Sequence, residues 1–156
     1  MHSRDERSAH EELQCWTLTL GDPTSIHQHV VDAWTAQHAD GGGKPIALAF
    51  ALAGLHLHLN LEFTGREVQR AHMAMALAPN EWPRFPIPEE RGTITALDVM
   101  RAAPGPDRVK ALDAWCSSVW ATFRESHQAV AALVECHSGH LRGRTATPPS
   151  SRRVSS

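Results

Sequence analysis

Apolar residues recur every three to four positions along most of the chain, and polar or glycine-rich breaks divide that pattern into helix-length segments. Leu13, Trp16, Thr17 and Leu20 share one face and predict a first helix over residues 8–20, stopped by Gly21-Asp22-Pro23. Thr24 or Ser25 then caps a second helix running through His38, with Ile26, Val30, Val31 and Trp34 as its apolar stripe. Asp40-Gly-Gly-Gly43 breaks the pattern again.

The stretch 45–63 carries two signals. Leu55-His-Leu-His-Leu-Asn-Leu-Glu-Phe63 alternates as a half-buried strand would. The run before it, Ile46-Ala-Leu-Ala-Phe-Ala-Leu-Ala, consists of strong helix formers, and Ile46 is the only β-branched residue of the whole stretch. Wound as a helix, it lines Leu48, Leu52, Leu55, Leu59 and Phe63 along one face, with Leu57 and Leu61 on the other. A helix apolar on most sides is a buried one, and the helical reading is preferred.

Thr64-Gly-Arg-Glu67 is a capping box opening a helix over 64–78, with Val68, Ala71, His72 and Met75 facing inward. The prolines of 79–88 forbid regular structure, while Trp82, Phe85 and Ile87 mark the segment as a strap across the body. Thr95-Ala-Leu-Asp98 opens a short helix to Ala103, ended by Pro104-Gly-Pro106. One long final helix, 107–136, carries Leu112, Trp115, Val119, Trp120, Phe123, Val130 and Val134, with a break expected near Ser126. The expected organisation is a disordered N-terminus over 1–7, one helical domain over 8–138 and a disordered, basic Ser/Pro tail over 139–156. The fold class is all-α: a single-domain bundle of five to six helices with a central buried helix and a proline-rich strap.

Composition narrows the function classes. A formal charge of −2 gives no general attraction to nucleic acid or anionic membrane, and no apolar run reaches the roughly 20 residues of a spanning helix. Cys15, Cys116 and Cys136 are an odd, widely spaced set without a Cys-x-x-Cys pair, as in a reducing cytoplasm. No nucleotide-binding loop or nucleophile elbow is present. The partner is unspecified, and a homo-oligomer stays open.

The chemistry that remains lies in histidines. Six of the eleven fall between His27 and His72, including His27-Gln-His29 and His56-Leu-His58. Residues two apart on an α-helix point about 200° from each other, so neither pair can chelate one ion. A site would instead draw one histidine from each of several helices. The helical wheels turn His27, His56 and His72 inward and His29 and His58 outward. Three inward imidazoles suit zinc, iron or copper with an open position, which would make hydrolytic or redox chemistry available. Cys15 is the candidate fourth ligand, and otherwise a small buried hydrophobe; His38 and Asp32 are supporting candidates. The competing reading makes each histidine a structural or pH-sensitive residue of a non-enzymatic interaction or small-ligand-binding module. Cys136 and His140 have ligand spacing but straddle a helix end, and the arginines of the tail suit a solvated terminus.

Several unusual words, Cys15-Trp-Thr-Leu, residues 26–38, Phe63-Thr-Gly-Arg-Glu-Val-Gln-Arg-Ala-His72, Trp82-Pro-Arg-Phe-Pro and Asp113-Ala-Trp-Cys-Ser-Ser-Val-Trp120, occur here in order. Together they resemble a family of small bacterial proteins, domain of unknown function 5946, over roughly residues 10–125. Members often carry a Cys-x-x-Cys-Gly stretch ahead of the first helix, which this chain lacks. The resemblance implies no activity. It draws attention to Cys15, His27, Asp32, Gln37, His38 and His72 and favours a helical 45–63.

Overall fold

The computed structural model describes residues 4–78 and 81–137. They form seven α-helices and no strand: α1 (Arg4–Thr19), α2 (His27–Gln37), α3 (Pro45–Leu61), α4 (Gly65–Ala76), α5 (Ala96–Arg101), α6 (Pro106–Thr122) and α7 (His127–Cys136). The fold class is as expected, and the count exceeds the expected five to six.

Helix α3 is the centre. Leu48, Ala49, Ala51, Leu52, Ala53, Gly54, Leu55 and Leu57 are all buried, so it is enclosed on every side for three turns. Helices α2, α4, α6 and α7 pack around it, while α1 and α5 pack together and against α2 and α6 respectively. Pro45 starts it at a position where the missing N–H has no helical partner to lose. Glu62 ends it by turning left-handed at φ 58°, and the Phe63 N–H returns to the Leu57 carbonyl at 2.9 Å. Leu61, expected on a buried face, is 49% exposed because it lies on that last turn.

Two differences from the sequence reading have local causes. Helix α1 begins at Arg4 rather than Ser8, with Asp5 and Glu6 in its first turn, where acidic side chains suit the helix dipole. Helix α2 begins at His27 without a side-chain cap. The Thr24 hydroxyl donates to Asp22 (2.6 Å) instead of capping α2, and Ser25 is left-handed at φ 55°. The final helix is divided, as expected near Ser126, by a 3₁₀ turn at Arg124–Ser126. There the Trp120 carbonyl accepts from the Phe123 N–H (3.0 Å) and lies 2.7 Å from Nε2 of His127, whose ring stacks on Trp120. Thr122 also bonds back to the Val119 carbonyl at 2.7 Å, a contact that bends helices.

The Thr64–Glu67 capping box is present with both reciprocal bonds, at 3.1 and 3.2 Å. The Asp98 carboxylate likewise accepts from the Thr95 N–H at 2.9 Å to start α5. The described part of the strap packs across the body: Phe85 is buried and Trp82 meets Phe50 edge to face, ring centres 4.9 Å apart. Its exit is fastened by Arg91, whose guanidinium donates to the carbonyls of Pro88, Ala36, Gln37 and Ala39, closing the C-terminal end of α2. Buried Gln37 ties three parts together: its amide donates to the Arg91 and Ile94 carbonyls and its oxygen accepts from the Trp115 indole at 2.9 Å. Among the described residues no helix is long and apolar enough to cross a membrane. Residues 138–156, with His140 and the predicted tail, lie outside the described residues, as do 1–3 and 79–80.

Candidate functional site

The buried face of α2 is His29, Val30, Asp32, Ala33, Ala36 and Gln37; of the predicted Ile26, Val30, Val31 and Trp34 stripe only Val30 is fully buried, so the face is turned from the expected one. Its small residues explain the turn. Ala33 and Ala36 are fully buried, as are Ala49 and Ala53 of α3, so the two backbones approach closely along alanines that a hydropathy wheel weights lightly. The consequence reverses the expectation for the His-x-His words. His29, expected outside, is 4% exposed, and its ring stacks on His58 of α3 with centres 3.6 Å apart.

Around this pair lies a cavity of about 330 Å³ between α2, α3, α6 and the start of α4. Ile26, Phe63, Val109 and Leu112 give it apolar walls; His29, His58, Glu62 and Asp113 supply the chemistry. His58 sits with Nδ1 3.2 Å from the Phe63 carbonyl and Nε2 2.9 Å from Asp113 Oδ1 of α6. Both partners are acceptors, so the imidazolium, with two N–H donors, is the form that satisfies both contacts. His29 has no such partners: among the described residues its ring makes the stack with His58 and no hydrogen bond. Burial, followed by the positive charge of His58, pushes its pKa down to about 3, with Asp113 acting weakly in the other direction. At neutral pH it is therefore an uncharged imidazole, one nitrogen a donor and the other an acceptor. Behind it, the buried Cys116 thiol donates to the His29 carbonyl at 3.7 Å and is pushed up by burial, which keeps it protonated and unreactive.

The mouth is built from strained backbone. Ser25 and Glu62 are the two non-glycine residues with positive φ among the described residues. Glu62 lines the cavity, and Ser25 sits between Thr24 and Ile26, which both line it. A left-handed residue with a side chain costs roughly 1–2 kcal/mol, and such positions gather at functional sites. The Ser25 turn is pinned from both sides: Asp22 holds Thr24, and the Arg66 N–H donates to the Thr24 carbonyl at 2.7 Å. Gly65 permits the approach, since a Cβ there would overlap the Ser25 carbonyl.

The predicted ligands occupy separate settings. His27 is half-buried with Nδ1 2.9 Å from the Thr17 hydroxyl. His56 pairs with Asn60 on its own helix at 2.8 Å and lies beside Trp120. His72 places Nε2 2.7 Å from the Phe50 carbonyl and stacks on the Phe50 ring. Burial lowers the pKa of all three. Cys15 is exposed on α1, contrary to its reading as a buried hydrophobe. His38 spans from the Trp34 carbonyl to Glu6 (2.9 and 3.0 Å), and its ring lies against Trp34, which also stacks on His10. Among the described residues no group of three or more His, Cys, Asp or Glu side chains is placed to hold a metal ion.

Asp32 is the one supporting candidate that reaches a predicted histidine. The Gln28 amide nitrogen lies 3.0 Å from Asp32 Oδ1 and 3.5 Å from His72 Nδ1, bridging the two. Oδ2 of Asp32 is buried without a hydrogen bond, and burial raises the carboxyl's pKa well above the usual range. Sequence reasoning missed His29, His58, Glu62 and Asp113 as a group. The usable signal was the pair of His-x-His words on helices packed side by side, each presenting one ring to the other.

No curated protein and no solved structure matches the chain. The family of unknown function DUF5946 matches residues 7–124, most of the chain and all of the residues that build the cavity. The chain belongs to that family.

Proposed function

We propose that this protein is a small-ligand-binding module whose ligand enters the cavity over the His29–His58 pair. One observation carries the reading: His29 is almost wholly buried, uncharged and without a hydrogen-bond partner for its ring among the described residues. Its ring nitrogens face the cavity without a partner among the described residues, so a ligand offering a donor or acceptor would supply the missing hydrogen bond. The apolar walls and the cavity volume suit a small molecule with an apolar body, at the lower end of the usual size range for such sites. The stack on His58, itself held by Asp113 and the Phe63 carbonyl, fixes the His29 ring before a ligand arrives, so little ordering is needed on binding.

The test is a fragment screen by ligand-observed NMR on the wild-type protein and on His29→Phe, which keeps a flat ring on His58 and removes both nitrogens. Fragments that bind wild type and are lost in the variant support the reading. A screen in which hits are absent, or bind both proteins equally, would sink it.

The pattern-based alternative is a zinc, iron or copper ion held by His27, His56 and His72 with Cys15. It is supported by the histidine-rich sequence alone, and its candidate ligands make the separate contacts described above. Elemental analysis of untagged protein tests it: stoichiometric metal lost in His72→Ala favours the metal, while metal-free protein with an unmoved melting temperature on metal addition removes it.

A further inference from the structure

The structure assigns this cavity, on the reading just proposed, to small organic ammonium ions: a protonated amine carried on a short apolar body. The charges around an unsatisfied acceptor lead there. The acidic side chains at the cavity are Asp113 and Glu62, and no lysine or arginine among the described residues lines it. The Asp113 carboxylate already has a partner in His58 Nε2 at 2.9 Å. The Glu62 carboxylate forms no ion pair or hydrogen bond among the described residues, which leaves one uncompensated negative charge at the mouth. Glu62 also occupies a left-handed helix cap where glycine is the favoured residue. Its backbone conformation fixes where the carboxylate starts, at the rim beside Phe63.

The floor supplies the second element. Buried His29 has a ring nitrogen available to accept a hydrogen bond, and accepting from an ammonium N–H needs no change in its own protonation. A cation drawn by Glu62 thus meets an uncharged acceptor at the floor and an apolar wall of Phe63, Val109 and Leu112 for its carbon chain. An anion would meet the reverse: an unpaired carboxylate at the mouth and no free cationic side chain within.

Three probes of equal length separate charge from shape: n-pentylamine (cationic at pH 7), 1-pentanol and pentanoate. Dissociation constants measured by NMR titration of the full chain should rank the amine about tenfold or more tighter than the alcohol, with pentanoate weakest. Glu62→Gln should bring the amine's affinity down to the alcohol's and leave the alcohol unchanged, and Glu62→Gly should do the same in a relaxed cap. Raising the salt concentration should narrow the amine's advantage in wild type. Pentanoate binding as well as pentylamine, or an amine-to-alcohol ratio untouched by both Glu62 variants, would overturn the ammonium assignment and leave the cavity reading standing. All three probes failing to bind would overturn both. Tighter binding of Nα-acetyl-lysine methylamide than of pentylamine would overturn a free amine as ligand in favour of a lysine side chain.

Discussion

Gly54 has no side chain where Asp32 needs the space: a Cβ built on Gly54 would overlap the Asp32 carboxylate. The buried carboxyl of α2 is thus accommodated by a missing side chain in the middle of α3, a position where glycine itself weakens a helix. Gly54→Ala should therefore destabilise the protein by about 1–3 kcal/mol, despite alanine's better helix propensity. Asp32→Ala in the same chain should recover part of that loss. Denaturant titration of both single variants and the double variant gives the coupling, and additivity would show that the two residues do not compete for space.

The same carboxyl predicts a pH dependence. Its folded pKa is raised well above 3.8 by burial, so its contribution to stability is fully present below 3.8 and is lost as pH rises through the folded value. The Asp32→Asn variant keeps the shape and cannot ionise. Its melting temperature should lie above that of wild type at pH 8, with the gap closing as pH falls toward 4.

His29 works in the opposite direction. Its pKa falls from 6.5 to about 3 on folding, so between those values the unfolded chain binds more protons and stability declines as the solution is acidified. His10, lowered to about 4 by burial and by the nearby His38 and His27, adds to the same decline. Urea unfolding at pH 7.5, 6 and 5 should show a fall in midpoint that is smaller in His29→Phe; parallel slopes for the two proteins would contradict the buried, uncharged state of this ring.

Gln37 offers a test of the scaffold apart from the cavity. Gln37→Leu leaves the Trp115 indole N–H and the Arg91 and Ile94 carbonyls without their side-chain partner in the core. A loss of about 1–3 kcal/mol is expected, read as a lower denaturation midpoint at unchanged slope.

Much of the fold was legible because its signals are local. The Thr64–Glu67 box, the Asp40–Gly43 break and the leucine-rich composition of 45–63 each act over a few residues, and the helices they predict are present. The 3₁₀ turn depends on His127 reaching the Trp120 carbonyl, a contact between side chain and backbone that spacing alone only hints at. The histidine site was legible in part. Spacing showed that one ring from each His-x-His word would point inward. Which ring depended on the rotation of α2, set by the alanines it shares with α3 rather than by its larger residues. Asp113 could not be assigned from the sequence, because its pairing with His58 spans 55 positions and only the docking of α6 creates it.

The 3₁₀ turn at Arg124–Ser126 has one more consequence, because the family match stops within it, at residue 124. Beyond lies α7, whose Val134 closes a small core made by Ala53, Leu57, Val68, Ala71 and Met75 of α3 and α4. In this chain the oily seam between α3 and α4 is thus roofed by a stretch that follows the matched residues. Cut after Phe123, the protein would leave that seam open to water, and self-association would be the simplest way for it to close again.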